Sequence, residues 1–290
     1  MGFDGTLFPP FIDHHVHGHL VDTTALAAGG IAGWVDLGGD PARLAARRGS
    51  MPHPAYAGAF LTAVGGYPSG RSWAPGGIVR EVTDAADAAS AVAEQASAGA
   101  SLVKVALNAR SGPVPDGEIL HAVVAAAHAR ALPVVAHVEG EGMTRRALDA
   151  GVDALAHTPF DDRLDAELLA RAVAQTVWIS TLAIHETGPA AASTASGHLA
   201  RFHRSGGRVL YGTDLGNGDL PLGVNGIEIE RLLAVGIRGD ALVRALCDPW
   251  PLSHAPAGVG TVVPDAVAGG IRETDADVAA RFARARVVRM

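Results

Sequence analysis

The sequence predicts an α/β fold, a (β/α)8 TIM barrel contained in one domain, and three observations point to it. First, eight apolar, strand-like segments alternate with Ala-rich amphipathic stretches along the chain. Second, runs such as Leu132-Pro133-Val134-Val135-Ala136 are continuously apolar, as parallel strands are when helices cover them outside and side chains pack within. Third, polar residues suited to binding a metal fall at the C-terminal ends of five of these strands, the rim on which barrel enzymes assemble their sites. A length of 290 residues is compatible with two average domains, but a barrel uses about 250 residues as one.

The strands are expected at 10–16, 31–37, 56–63, 101–107, 132–138, 152–157, 176–181 and 208–213. Helices are expected from Asp84 to Ala98, from Asp116 to Arg130 and from Asp162 to Ala174, each opened by an acidic residue that suits the positive end of a helix. Gly99, Gly151 and Gly206 stand where helices stop. No low-complexity linker interrupts the chain before about residue 250, so residues 1–250 read as the barrel and 251–290 as a C-terminal extension packed on it. Within that extension, 275–286 has the pattern of an amphipathic helix.

Composition narrows the function classes. With 48% apolar and 18% charged residues the chain can bury a sizeable core. A net charge of −7 argues against nucleic acid or an anionic membrane as partner and favours a small-molecule substrate. The single cysteine, Cys247, supports no internal disulfide and no thiolate metal site. The uncharged stretch 172–184 is shorter than the roughly 20 residues that span a bilayer, so no membrane segment is expected. Residues 1–10 carry no basic cluster and no apolar signal core, which makes a cytoplasmic location the default.

The chemistry-bearing residues start with His15 and His17. Side chains two apart in a strand share a face, so both imidazoles reach one metal ion from one strand end. Lys104, His137, His157 and Asp214 close later strands. One histidine ending an apolar strand is as readily a packed core residue. Five strands each delivering a polar side chain to one rim are not explained that way. Weaker candidates surround them. Tyr67, Arg71 and Trp73 lie in a Gly-, Pro- and Ser-rich loop that can close over a substrate, Arg71 and Arg110 suit a substrate carboxylate, and His185 follows the seventh strand. Glu139 is placed to orient His137, whereas His14 points away from the His15 side and reads as structural.

The order His-x-His, Lys, His, His, Asp resembles the amidohydrolase superfamily. Segments 61–68, 125–134, 150–157 and 211–217 resemble its imidazolonepropionase and Xaa-Pro dipeptidase-like branch, and the likeness covers roughly residues 8–250. It implies a barrel of the metal-dependent hydrolase type with one or two Zn²⁺ ions: His15 and His17 on the first, His137 and His157 on the second. Lys104, carboxylated by CO2, would bridge two ions, and Asp214 would bind the first and accept a proton from the attacking water. A lysine buried among cations favours its neutral amine, the form that captures CO2. The implied reaction is hydrolysis of an amide, cyclic amide or dipeptide-like C–N bond. The alternative is non-hydrolytic chemistry on the same barrel by a decarboxylase, isomerase or lyase, since a fold does not fix a reaction. Relatives of this branch build a small β-sandwich from segments flanking the barrel. Here only about ten residues precede the histidine pair, so the sandwich is expected to be absent or vestigial, with 249–270 as its remnant. The oligomeric state stays open, a homo-oligomer included.

Overall fold

The computed structural model describes residues 4–185, 188–266 and 273–290. Strand β1 (Thr6–Phe8) leads to β2 (Phe11–Val16), β3 (Ile31–Asp36) and, after helix α1 (Pro41–Ala45), to β4 (His53–Tyr56). Next come β5 (Phe60–Ala63), β6 (Val79–Val82), α2 (Ala85–Ser97), β7 (Val103–Asn108), α3 (Gly117–His128), β8 (Val134–Glu139) and α4 (Met143–Ala150). The chain continues through β9 (Ala154–Leu155), α5 (Ala166–Gln175), β10 (Val177–Ile179), α6 (Pro189–Arg204), β11 (Arg208–Leu210), α7 (Gly226–Ala234) and α8 (Asp240–Cys247). It ends with β12 (Val259–Val263), α9 (Asp275–Phe282) and β13 (Arg286–Arg289).

Seven strands form a parallel sheet in the order β11-β10-β9-β8-β7-β5-β6, and β2-β3-β4 form a second parallel sheet. Backbone bonds join the two sheets at two places, beyond β11 and ahead of β7. His14 N donates to Tyr211 O and Leu215 N to His15 O on one side, and Ser101 N donates to Tyr56 O on the other. β2, β3 and β7 are buried along their whole length, their polar residues Asp13, His14, His15, Asp36, Lys104 and Asn108 included.

The expected strand 56–63 is two strands. Ala57, Gly58 and Ala59 separate β4, which pairs with β3, from β5, which pairs with β6 and β7. Buried Gln95 of α2 causes the break: its side-chain oxygen accepts Ala59 N at 2.9 Å. That oxygen lies 2.2 Å from where a Cβ on Gly58 would sit, and Gly58 adopts φ 77°, a conformation glycine takes without strain. Asp84 and Asp116 cap α2 and α3 as expected. The third helix instead begins at Ala166 with Asp165 as its cap, while Asp162 takes the backbone N–H groups of Gly142 and Thr144 at the start of α4.

The two ends of the chain meet. β1, β12 and β13 form an antiparallel sheet in the order β1-β12-β13, with Leu7 opposite Val262 and Gly260 opposite Val288. The stretch 249–270 therefore contributes a strand, its residues 267–270 lying outside the described part. The C-terminal helix stops at Phe282 rather than running to 286, and the freed residues form β13. Buried Thr261 fastens this sheet to the parallel strands by accepting Phe11 N at 3.1 Å and donating to Gly30 O at 3.0 Å. Phe282 stacks on Phe11 with centroids 6.0 Å apart. Among the described residues no helix is long and apolar enough to cross a membrane.

Candidate metal centre

His15 and His17 project from the end of β2 with ring centroids 5.2 Å apart. Asp214 follows β11 in the left-handed region at φ 58°, and its Oδ1 lies 3.0 Å from His15 Nε2 and 3.2 Å from His17 Nε2. The tautomer of His15 gives this contact its meaning. Nδ1 of His15 faces the carbonyl oxygen of Ala156 at 2.9 Å, and a carbonyl only accepts, so Nδ1 carries the proton. Burial pushes the His15 pKa down to about 4, so at neutral pH the ring is uncharged and Nε2 is a bare lone pair. A lone pair and a carboxylate oxygen then face each other inside the protein, and neither has a hydrogen-bond donor. That arrangement is unfavourable unless a cation joins the two.

His157 completes the set: one ligand atom each from His15, His157 and Asp214 lies within 4.8 Å of the others. Its Nδ1 sits 2.9 Å from the hydroxyl of Thr181, itself left-handed at φ 43°. Burial drives the His157 pKa well below the usual histidine value. Burial would raise the Asp214 carboxyl, but when the facing His15, His17 and His157 rings carry protons their charge and hydrogen bonds hold it well below the usual carboxylate range, so that it stays ionised once those rings have become neutral. Lys104 on β7 is 1% exposed, and burial lowers its ammonium to about 7, within reach of the neutral amine. His137, two residues before the end of β8, lies edge-on to His157 at 5.1 Å and stacks on Tyr67 at 5.3 Å. The histidine pair, Lys104, His137, His157 and Asp214 all line one cavity of about 140 Å³.

The weaker candidates fare unevenly. Tyr67 and Glu139 line the cavity, and Glu139 Oε2 lies 3.5 Å from His137 Nε2 and accepts from Asn108 at 2.7 Å. Arg71 is not on the wall; its guanidinium lies 5.9 Å from the Tyr67 ring centroid, at the surface. Arg110 is not brought there either, because Asp161 from the loop after β9 holds its guanidinium. His185 is buried with its ring 4.6 Å from Phe160, and the wall at this point is made by Phe160 and Ile184. His14 bonds to the carbonyls of Tyr211 and Asp248, a structural role as read from its alternation. The loop carrying Tyr67 and Trp73 is pinned: Glu81 accepts from Gly65 N and the Ser69 hydroxyl, and the Trp73 carbonyl meets His19 Nε2 at 3.1 Å. Asn108, Thr181 and Asn217 escaped the sequence reading. Asn108 shares a strand with Lys104, a signal that was there to be used.

The sequence matches no family model and no curated protein. Solved structures do resemble it. A Xaa-Pro dipeptidase crystallised with methionine superposes with a TM-score of 0.71 at 19% identity, over 91% of this chain and 82% of that one. Ochratoxinase from A. niger gives 0.70 at 18% identity over 83% and 70%, and a dihydroorotase 0.61 at 16% over 89% and 74%. The chain shares the fold of these proteins.

Proposed function

We propose that this protein is a metal-dependent hydrolase that cleaves an amide, cyclic amide or dipeptide-like C–N bond of a small molecule in the cytoplasm. We further propose that the two parallel sheets close an eight-stranded barrel, with β4 and β5 acting as one barrel strand and β6 lying outside it, and that residues 251–290 form an extension on it, β12 and β13 being a vestige of the sandwich. The observation that carries the catalytic reading is the pair of acceptors His15 Nε2 and Asp214 Oδ1, buried 3.0 Å apart without a donor.

The donor set of imidazoles and one carboxylate fits Zn²⁺. His15, His17 and Asp214 would hold one ion, and His137 and His157 a second if Lys104 is carboxylated to bridge them. A bound Zn²⁺ supplies Lewis acidity and a water acidic enough to attack near neutral pH. The protein does the rest. The Ala156 carbonyl and the Thr181 hydroxyl fix the His15 and His157 rings, Phe60 and Phe160 narrow the cavity, and Asp214 receives the proton and returns it to the leaving nitrogen.

Two measurements test this reading. Protein supplied with Zn²⁺ should bind one to two equivalents, lowered in His15→Ala and His137→Ala, and labelled bicarbonate should mark Lys104 as a carbamate when two are bound. A panel of N-acyl amides, cyclic amides and dipeptides in isotopically labelled water should yield a product carrying solvent oxygen. Metal content indifferent to both substitutions, or product without solvent oxygen, would overturn it.

A further inference from the structure

A second cavity of about 300 Å³ adjoins the first, and the two share His17, Tyr67, Asp214 and Asn217. Its own walls are Leu20, Trp73 and two glycines. Trp73 and Tyr67 present their rings with centroids 5.9 Å apart at 57°, and Leu20 leaves 38% of its surface to solvent. Gly216, at φ 111°, keeps the slot open, since a Cβ there would come within 3.1 Å of the Cβ atoms of both His17 and Leu20. The side of this slot made by Leu20 and by Tyr67 and Trp73 of the pinned loop, facing solvent, gains from being covered by an apolar group, whereas His17, Asp214 and Asn217 make its inner side.

Charge decides which group. Among the described residues lining these cavities, Lys104 is the only lysine or arginine, and it belongs to the inner one. Arg71 lies beyond the Tyr67 ring, and Asp161 engages Arg110. Asp214 lines both cavities, and Glu139 lines the inner one. A substrate carboxylate seated between Leu20 and Trp73 would be desolvated with no guanidinium or ammonium on the outer walls to meet it, Asp214 being committed to the ion it would hold.

We propose that the outer cavity is a subsite for an uncharged, phenyl-sized group flanking the scissile bond, and that it selects neutral amides over carboxylate-bearing dipeptides. The bond being cut rests on the hydrolase reading above; the selection rests on the walls alone.

Binding separates the two. Tryptophan fluorescence of the metal-loaded protein, titrated with N-acetylphenylalaninamide and with N-acetylphenylalanine, should show the amide binding at least about tenfold tighter. Trp73→Ala should weaken the amide roughly tenfold and erase its advantage over N-acetylalaninamide, with displacement of the phenyl amide as the readout. Leu20→Lys, at an exposed position that tolerates the change, should shift preference toward the carboxylate. Equal or tighter binding of the carboxylate by the unaltered protein, or a phenyl preference untouched by Trp73→Ala, would overturn the proposal. Selective binding of an amide that is then not hydrolysed would support the subsite and remove the hydrolase reading.

Discussion

The carboxylate of Asp13 takes both the backbone N–H of Thr213, at 3.1 Å, and its hydroxyl, at 2.5 Å, across the seam between β2 and the segment after β11. The same carboxylate accepts His15 N at 3.0 Å. Asp13 thereby fixes His15 against the residue that precedes Asp214. It also helps hold Asp214 at φ 58°, a backbone conformation that costs a non-glycine residue about 1–3 kcal/mol. Asp13→Ala would leave three buried donors unmet. At about 1–3 kcal/mol for each unsatisfied group, the urea midpoint should fall by the equivalent of at least about 3 kcal/mol, with metal affinity falling alongside. A midpoint close to that of the unaltered protein would show that Asp13 braces nothing.

Asp214→Asn keeps the size of the side chain and one ligating oxygen but removes its basicity. Metal should largely persist while turnover drops by at least about a hundredfold, the lower end of what general base catalysis supplies. Melting temperature, bound metal and turnover should be read on one preparation. Joint loss of stability and metal with little change in rate per bound ion would make Asp214 a brace for its loop rather than a proton carrier.

Thr181 touches the metal centre only through His157 Nδ1. Thr181→Val preserves the branched shape and deletes the hydroxyl, so the His157 ring loses its orienting partner. Metal affinity should weaken by about 10–100-fold, as is usual when such a supporting bond is lost. Competition with a chromogenic chelator measures it, and Thr181→Ser should restore most of the loss. An affinity equal in all three proteins would rule out this support.

Glu228 on α7 is fully buried and accepts Ala183 N at 2.6 Å, beneath the turn that follows Thr181. Burial pushes its pKa up to about 7. Between its ordinary value near 4.5 and about 7 the folded protein keeps a proton that the unfolded chain has released. Its contribution therefore makes stability decline as pH rises through that window and level off above it. Glu228→Gln keeps an acceptor for Ala183 N and cannot ionise. Its stability relative to the unaltered protein should improve between about pH 5 and about pH 7.5 in urea titrations. A difference that is flat or reversed across this range would contradict the assignment.

What could be read in the sequence follows a physical division. Strands such as 31–37 and 132–138 lie within two residues of β3 and β8, because an apolar run bounded by glycine, proline or a polar end is a local signal. His15, His17, His137, His157 and Asp214 could be grouped because each stands near or just past the C-terminal end of a strand, whereas Lys104, expected at a strand end, is the second residue of β7 and reaches the same cavity from further down that strand. The break at Gly58 was not, since it is made by Gln95 from a different element. Arg110 read as free because Asp161, its partner, is remote in sequence, and Asp162 read as a cap because nothing local reveals that it serves Gly142 and Thr144. Strands β1 and β13 have three and four residues and form only against β12, a pairing no local pattern announces.

That last pairing imposes an order on folding. During synthesis Thr6–Phe8 leave the ribosome early, yet their partner Val259–Val263 follows some two hundred and fifty residues later. Phe11 N, at the root of the strand that carries His15 and His17, likewise waits for the hydroxyl of Thr261. The first strand of the site thus pairs early with β3 but receives this anchor only near the end of synthesis. A nascent chain stalled short of residue 259 holds every proposed metal ligand but not the Thr261 clasp at the root of the strand that carries the first two.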